Sequence, residues 1–254
     1  LSDVFAVENG QTTSVDVTLQ RSPVPVLSGV TYGAAAIGDP VSATMSRDGV
    51  LHLVPAGTAA TRTAIEAASV VTVGGAVYGA RATAAAGVAA VLDTTDFASG
   101  LYVVYATDGA GNVSAASERI AIIPRSLAAI DNTSPFVMYS GSGTTTTSAS
   151  LYGGSEWIGT AKGATARVPF YGTRAKVLGT LAPNGGLGDI YVDGIYRTTY
   201  DFMRRGTAQI QYVVFDTGVL PLGAHTIEIR ATGEKNPNSQ NIWVRFDALL
   251  ASGF

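Results

Sequence analysis

The stretch GDIYVDGIYRTTYDF, residues 188–202, decides the fold class of this chain. It contains two segments with strand character, Gly188–Asp193 and Ile195–Phe202, which meet at the dipeptide Asp193-Gly194. Asp-Gly is favoured in two-residue hairpin loops of type I′, because both loop residues there need a positive φ. The stretch therefore predicts a β-hairpin.

Strand signals continue on both sides of this hairpin. The other predicted strands are Phe136–Ser140, Thr165–Phe170, Arg174–Gly179, Gln209–Phe215, His225–Ala231 and Asn241–Leu249. Eight strands, many turns and no helix between residues 136 and 249 predict a jelly roll of two sheets.

Residues 27–124 also show short strands separated by turn signals. The predicted strands include Thr44–Ser46, Val50–Val54, Leu101–Ala106 and Ile120–Pro124. Their spacing indicates a further β-sandwich. The Ala-rich stretch Thr58–Ser69 contains no Gly or Pro and is predicted to form a short helix.

The composition is typical of an extracellular β protein. Charged residues make up 14% of the 254 residues, against roughly 25% in ordinary soluble domains, and 46% are hydrophobic, enough for a core. The net charge of −3 gives no basic footprint, so nucleic acid is not an expected partner. The absence of cysteine excludes a disulfide scaffold and thiol catalysis.

The N-terminus LSDVFAVENG has neither the charged region nor the apolar region of a signal peptide. No apolar run approaches the ~20 residues that a membrane span needs, so none is predicted. We interpret the chain as a piece of a longer protein that is secreted or associated with the cell surface, with any export signal upstream.

Residues 1–26 are predicted to be the remnant strand of a preceding module plus a linker. The sequence NGQTTSVDVTL, residues 9–19, alternates apolar and polar residues after an Asn-Gly turn. It resembles the closing strand of a carboxypeptidase-regulatory-like domain. The alternative is a first strand of the next domain. Two prolines in Ser22–Val26 favour an extended linker.

The sequence YVVYATDGAGNVS, residues 102–114, carries a first resemblance. The spacing of Asp108, Asn112 and Ser114 resembles that in a late strand of bacterial immunoglobulin-like repeats. The resemblance implies that residues 27–124 form an immunoglobulin-like spacer domain.

Residues 125–254 carry a second resemblance. The residues concerned are Tyr139–Gly141, Tyr152–Ser155, Ala164–Thr173, Asp189–Gly194, Gly223–Ile227 and Phe246–Leu249. They resemble the galactose-binding-like jelly rolls that are appended to bacterial glycoside hydrolases and polysaccharide lyases, with Pro169 and Tyr171 as departures from the pattern. The fold implied for the whole chain is all-β, an immunoglobulin-like β-sandwich followed by a jelly-roll β-sandwich.

The same resemblance implies a function. The chain would be a non-catalytic carbohydrate-binding region of a secreted multimodular polysaccharide-degrading enzyme, with a polysaccharide and an upstream catalytic module as its partners. The alternative is a structural or adhesive array on a bacterial surface or phage fibre, without a glycan site. Catalysis is not predicted, because the chain has no E-x-D-x-E, G-x-S-x-G or H-E-x-x-H motif.

Sugar recognition needs flat aromatic faces and planar polar groups, which we expect on loops. Trp157 follows Gly-Gly-Ser-Glu and is predicted to be a loop-borne stacking platform, with Tyr152 lining the same wall. The alternative for Trp157 is partial packing in the core. Trp243 lies on the last predicted strand and is expected to pack in the core or on a sheet face.

The adjacent residues Arg204 and Arg205 are predicted to clamp an anionic sugar, because guanidinium groups bind carboxylates in a bidentate manner. Lys162, Lys235 and Asn236 are expected to join them if their loops meet at one rim. This pattern slightly favours an acidic polysaccharide. The alternative is a solvated loop.

Three further predictions concern metal and histidine. The resemblance implies a structural calcium near Asp131 and Asp247, although two carboxylates fill only part of a shell of six to eight oxygens. His225 is predicted to form hydrogen bonds at a strand start and not to be catalytic. His52 is predicted to face solvent from a strand.

Overall fold

The computed structural model describes residues 23–254. The predicted strand remnant in residues 1–20 lies outside the described residues, and residues 23–26 have no regular secondary structure. Strands dominate the described part, so the all-β fold class is confirmed. Within residues 23–254, no helix has the length and apolar character that a membrane crossing requires.

The N-terminal sandwich, residues 27–123, has ten strands and one helix. These are β1 (Leu27–Ser28), β2 (Ala34–Ala36), β3 (Val41–Met45), β4 (Gly49–Pro55), α1 (Arg62–Ala68), β5 (Thr72–Val73), β6 (Ala76–Val77), β7 (Ala80–Ala84), β8 (Ala89–Leu92), β9 (Gly100–Asp108) and β10 (Ile120–Ile123). A sheet of order β1-β3-β8 faces a sheet of order β2-β10-β9-β4-β7, and β5 and β6 form a small hairpin. Val41, Leu51 and Val104 are fully buried in the core between the two sheets.

The predicted helix is confirmed in a shorter form, as α1. Thr61 caps its N-terminus, where the Thr61 Oγ1 accepts the Ala64 N–H at 3.4 Å. Ile65 is its one buried residue and packs against β4 and β9. Helical propensity and a single apolar anchor are therefore sufficient to fix the element here.

His52 corrects a prediction. Its side chain is only 2% exposed, so the expectation that it faces solvent is wrong. Its Nδ1 lies 3.1 Å from Ser69 Oγ and its Nε2 lies 2.9 Å from Thr107 Oγ1. Because Ser69 Oγ donates its own hydrogen to the Glu66 carbonyl, Nδ1 carries the proton and Nε2 accepts from Thr107. Burial lowers the pKa of His52, in keeping with this neutral form.

The polar residues Asp108, Asn112 and Ser114 stabilise the turn that follows β9. Asp108 Oδ1 accepts the N–H groups of Ala110 and Asn112 at 3.0 and 2.9 Å. Ser114 Oγ accepts the Ala106 N–H at 2.9 Å. These residues close a loop, which is a structural role. The immunoglobulin-like assignment of this sandwich and the division of the chain at residues 26 and 124 stay predictions.

The C-terminal sandwich, residues 129–252, has twelve strands. They are β11 (Ala129–Asp131), β12 (Met138–Ser140), β13 (Gly143–Thr147), β14 (Ser155–Gly159), β15 (Thr165–Gly172), β16 (Arg174–Leu181), β17 (Leu187–Val192), β18 (Ile195–Asp201), β19 (Gln209–Asp216), β20 (Gly223–Ala231), β21 (Val244–Phe246) and β22 (Ala248–Ser252). One layer is the five-stranded sheet β12-β15-β20-β17-β18, called the groove sheet below. The opposite layer consists of the sheets β11-β22-β16-β19 and β13-β14-β21, and Phe170, Phe202 and Phe246 are fully buried in the core.

The hairpin of residues 188–202 is confirmed as β17 and β18. Its loop residues Asp193 and Gly194 have φ values of 51° and 75°, as a type I′ turn requires. Asp193 Oδ1 also accepts the Thr226 N–H at 2.8 Å, which ties the turn to β20. The hairpin therefore builds two of the five strands of the groove sheet.

All eight predicted strands of this sandwich exist, but three further strands were not predicted. β13 is a run of threonines without an apolar face, and β14 is buried along its whole length, so neither shows alternation. β11 has only three residues. The predicted last strand is divided into β21 and β22 at the buried Asp247, whose N–H donates to the Leu178 carbonyl at 2.9 Å.

Candidate functional site

The outer face of the groove sheet carries a continuous row of polar side chains. The strand register places Thr165 opposite Arg230, and Arg230 opposite Asp189. Ser140 and Thr199 extend this row to the two outermost strands. Because side chains alternate between the two faces of a strand, neighbours such as Ile190 point into the core. The sheet thus buries one face and presents the other as a polar floor.

Glu228 binds two arginine side chains of this floor. It is 5% exposed and accepts Arg167 Nε at 3.0 Å, and Arg230 Nε and Nη2 at 3.0 and 2.6 Å. The hydrogen bond to Glu228 raises the pKa of Arg230. Burial disfavours the charged form of Arg167, but its hydrogen bonds to Glu118 and Glu228 raise its pKa nevertheless. Both guanidinium groups are therefore charged and held in fixed orientations.

Aromatic and hydroxyl groups continue this network across β17 and β18. The Arg230 guanidinium lies over the Tyr191 ring, 4.7 Å from its centroid, and the Tyr196 ring meets Tyr191 edge-on at 5.7 Å. The Tyr196 hydroxyl lies 2.9 Å from Thr199 Oγ1, which donates to Asp189 Oδ1 at 2.5 Å. Each polar group is thereby oriented by a neighbour before any ligand arrives.

These side chains line a depression of about 400 Å³. Its floor consists of Asp189, Tyr191, Thr199 and Arg230, and the loops that carry Lys162 and Glu234 form its rim. Arg230 is 46% exposed, and its Nη1 has no hydrogen-bond partner within residues 23–254. The depression therefore presents a donor fork, a carboxylate, a hydroxyl and a tyrosine edge to one bound molecule.

Trp157 does not lie where the sequence predicted it. It is on β14 and not on a loop, and only 6% of it is exposed. Its ring stacks on Tyr139 at 5.0 Å with an interplanar angle of 26°. A Cβ built on Gly143 would lie 2.4 Å from Trp157 Nε1, so the backbone closes on the indole. The indole is part of the core and offers no free face to a sugar.

Tyr152 is half-buried in a single 3₁₀ turn, Tyr152–Gly154. It therefore does not line a wall with an exposed Trp157, as the sequence predicted. Its backbone N–H donates to Asp247 Oδ1 at 3.0 Å. Gly153 has φ 60°, and a Cβ there would meet Asp131 Oδ2 at 2.3 Å, so glycine lets the turn approach the carboxylate. The turn covers the two carboxylates for which calcium was predicted.

The calcium prediction rests on these carboxylates. Asp131 Oδ2 is buried and has no hydrogen-bond partner among residues 23–254, as a cation-binding oxygen would be. Burial, above all, together with the neighbouring Glu156 and Asp131 carboxyl groups, raises the pKa of Asp247 to about 6. However, residues 23–254 contain no cluster of three His, Cys, Asp or Glu side chains suited to a metal. The two carboxylates would need backbone oxygens or water to complete a calcium shell.

The arginine pair lies on an exposed rim at one end of the C-terminal sandwich. Arg204 Nη1 donates to Gln209 Oε1 at 2.7 Å, and Arg205 Nη2 donates to Asn238 Oδ1 at 2.6 Å. Asn236 Nδ2 donates to Asp201 Oδ2 at 2.9 Å, so the loops after β18 and β20 do meet. Lys235 is exposed on the second of these loops.

Lys162 does not share a pocket with this rim, since it borders the groove-sheet depression. Its side chain packs against Gly233, where a Cβ would come within 2.7 Å of the Lys162 Cβ. The predicted binding residues are thus distributed over the rim, the core and the groove sheet, and their role in binding stays a prediction.

The floor residues were not among the binding residues predicted from the sequence; they are Asp189, Tyr191, Thr199 and Arg230. A signal was present, since they occupy alternate positions of predicted strands. Asp189 lies opposite Arg230, 41 positions away, and Tyr191 lies opposite Glu228, 37 positions away, so only the strand order brings them together. The prediction for His225 was better, because it binds Asp193 Oδ2 and the Pro221 carbonyl, both at 2.8 Å, near the start of β20.

The comparisons with known proteins are remote. No family model and no curated protein matches the sequence. A xanthan lyase from Paenibacillus is 12% identical with a TM-score of 0.41, and the match covers 65% of this chain and 20% of the lyase. A two-domain esterase active on acetylated mannans is 17% identical with a TM-score of 0.38, over 50% of this chain and 36% of the esterase.

A family 35 carbohydrate-binding module from Clostridium thermocellum is 15% identical with a TM-score of 0.35, over 49% of this chain and 98% of that module. The chain thus spans only a minor part of the two enzymes named above. Likenesses at these levels do not bear on ligand or activity.

Proposed function

We propose that the C-terminal sandwich is a non-catalytic carbohydrate-binding module and that a polysaccharide lies on the groove sheet. The observation that carries the proposal is the depression of about 400 Å³ on the outer face of this sheet. Carbohydrates present hydroxyl groups in fixed directions and an apolar ring face, and proteins bind them with pre-oriented planar polar groups and aromatic rings. Arg230, Asp189 and Tyr191 are such groups, and each is held by a hydrogen bond or a ring contact.

The carboxyl groups support a non-catalytic role. A glycosidase needs two carboxyl groups that both reach the substrate, one of them with a raised pKa. Asp247 has the raised pKa, but it is completely buried beneath the Tyr152–Gly154 turn. In the depression, Asp189 accepts from Thr199, and the rim residue Glu234 belongs to a different loop. We therefore infer that binding, and not bond cleavage, is the task of this part of the chain.

In the parent protein, such a module would hold an upstream catalytic module of the same secreted bacterial chain on its polysaccharide. Tethering raises the effective concentration of enzyme on the substrate even when single-site binding is weak. The N-terminal sandwich, interpreted as immunoglobulin-like, would then act as the spacer.

The Arg204–Arg205 rim supports the finer proposal of an acidic polysaccharide. Neither guanidinium group is paired with a carboxylate within the described part of the chain, because their partners are a backbone carbonyl and two amide oxygens. Such groups keep their capacity for a uronate carboxylate. The rim would then add recognition of acidic residues to a groove that binds hydroxyl groups.

Affinity electrophoresis of the protein against xylan, galactomannan, β-glucan, polygalacturonate and xanthan tests the proposal. Arg230→Ala and Asp189→Ala should each abolish retardation on the glycan that retards the wild type. Lys176→Ala, an exposed cation on β16 in the opposite layer, is the matched control and should leave retardation unchanged. Retardation by none of the five glycans, or full retardation of the Arg230→Ala variant, would refute groove binding.

The acidic preference has its own test. Arg204→Ala combined with Arg205→Ala should weaken retardation on polygalacturonate or xanthan and leave retardation on neutral glycans intact. An equal effect on both classes, or none on either, would remove the rim from the site and favour the alternative interpretation of a solvated loop.

A further inference from the structure

The N-terminal sandwich packs directly on part of the groove sheet. Ala36, Ala121 and Ile123 form a buried apolar cluster with Tyr171 of β15. At Gly33, a Cβ would come within 2.5 Å of the Thr226 Cγ2 on β20. The two sandwiches are therefore in close apolar contact over the end of β15 and the start of β20.

Hydrogen bonds at the border of this contact fix its orientation. Arg125 Nη1 donates to the Tyr171 hydroxyl and its Nη2 donates to Asp39 Oδ1, both at 2.5 Å. The Arg125 guanidinium also lies 4.8 Å from the Tyr171 ring centroid. A guanidinium held by a carboxylate, a hydroxyl and a ring face permits little rotation between the sandwiches. Surfaces contributed by both can therefore form one site.

Two residues of the N-terminal sandwich reach the polar floor. Glu118 accepts Arg167 Nη1 at 2.9 Å. The Arg167 guanidinium lies over the Tyr32 ring, 4.9 Å from its centroid, and the far end of this ring approaches Gly194 in the β17–β18 turn. Tyr32 is 44% exposed. It forms a wall along the side of the floor that the C-terminal sandwich leaves open.

A second depression, of about 370 Å³, lies where Glu118 and Arg119 meet the floor. Glu118 and Arg119 line it from the N-terminal sandwich, and Ser140, Thr165 and Arg167 line it from the groove sheet. Thr165 is directly opposite Arg230, which borders the first depression. The two depressions are thus adjacent on the same polar row.

The length and charge of the combined groove restrict its ligand. Five strands at a spacing of ~4.8 Å make a floor roughly 20 Å across, which accommodates several sugar residues of an extended chain. The four cations along it, Lys162, Arg119, Arg167 and Arg230, are matched by the four anions Glu118, Asp189, Glu228 and Glu234. A balanced groove favours the uncharged, hydroxyl-rich residues of a glycan, and acidic residues would contact the Arg204–Arg205 rim outside it.

We propose that the groove is a composite site in which a stretch of uncharged, hydroxyl-rich sugar residues crosses all five strands, with its end over Thr165 and Arg167 bound by Glu118 and Arg119 of the N-terminal sandwich, beside Tyr32. This inference rests on the proposed function and adds to it. The N-terminal sandwich is then part of the binding site and more than a spacer. Affinity depends on chain length, because only a long chain reaches both depressions.

Isothermal titration calorimetry of the complete chain with xylo-, manno- and β-gluco-oligosaccharides of two to six residues tests the composite site. The wild type should bind the hexasaccharide of its preferred series at least about tenfold more tightly than the disaccharide, since one or two additional charged hydrogen bonds have this effect. The variant Glu118→Ala/Arg119→Ala should lose this gain and bind the disaccharide as the wild type does. Arg81→Ala, an exposed cation of the same sandwich on β7, is the matched control.

Arg230→Ala should weaken binding of both oligosaccharide lengths, because Arg230 borders the first depression. Thermal unfolding of each variant verifies that the fold is intact. An unchanged length dependence in the Glu118→Ala/Arg119→Ala variant, or no length dependence in the wild type, overturns the composite site and leaves the proposed function standing. Failure of the wild type to bind any of these neutral oligosaccharides overturns the composite site, and the proposed function fails as well only if none of the five polysaccharides retards the protein in affinity electrophoresis.

Discussion

Replacing Trp157 with alanine distinguishes a core residue from a sugar platform. The indole is 6% exposed, stacks on Tyr139 and fills the space between Gly143 and Gly159. Removing a buried Trp side chain typically costs about 3–5 kcal/mol, because the transfer free energy is lost and a cavity remains. Against a total stability of about 5–15 kcal/mol, this is a large fraction. For a chain of this size, it corresponds to a decrease in Tm of about 6–20 °C.

The assay is thermal and urea unfolding of the Trp157→Ala variant, followed by glycan retardation under conditions in which it is folded. The variant should be strongly destabilised and, where folded, should keep its binding. Trp243→Ala, at a half-buried position on the loop before β21, is the control and should cost less.

The packing of Gly143 against Trp157 gives a second readout. Gly143→Ala should destabilise the wild type, because the new Cβ would lie 2.4 Å from the indole nitrogen. In the Trp157→Ala background the same substitution should be nearly neutral, since the obstructing atoms are absent. A Trp157→Ala variant with wild-type Tm and no glycan binding would refute the buried placement and restore the platform hypothesis.

Two further predictions concern buried charges. In a chelator, unfolding free energy should decrease by on the order of 2 kcal/mol as the pH rises from about 4 to 6, because the folded-state pKa of Asp247 is raised to about 6 and its ionisation disfavours the fold. Asp247→Asn should remove this decrease in unfolding free energy. Added calcium should reduce the decrease if the predicted site binds the ion. A variant with the same pH profile as the wild type would contradict the assignment of the decrease to Asp247. Arg245→Met should cost about 3–5 kcal/mol, because it leaves the buried Glu156 carboxylate without its ion-pair partner. In urea unfolding, Arg245→Met combined with Glu156→Leu should recover most of this loss of stability. A double variant no more stable than Arg245→Met alone would show that lost packing, and not the unpaired charge, causes the loss.

The sequence alone determined the all-β class, and the reason is local. Asp193-Gly194 accepts two consecutive positive φ values, so it fixes a two-residue turn and the register of the strands beside it. The same holds for Thr61 and Ile65, which define α1 by a cap and one apolar anchor. Strands without alternation, such as the threonines of β13 and the fully buried β14, gave no such signal.

Only the tertiary structure decided which polar residues form a site. Trp157 follows a Gly-Gly pair and reads as a loop residue, but pairing with β13 and β21 places it inside the core. Asp189 and Arg230 are 41 positions apart in sequence and become direct neighbours because β17 pairs with β20. Glu118 reaches Arg167 only because one sandwich docks on the other. Turn chemistry acts between adjacent residues and can be read from sequence, whereas a binding surface depends on strand order and domain docking, which no local pattern encodes.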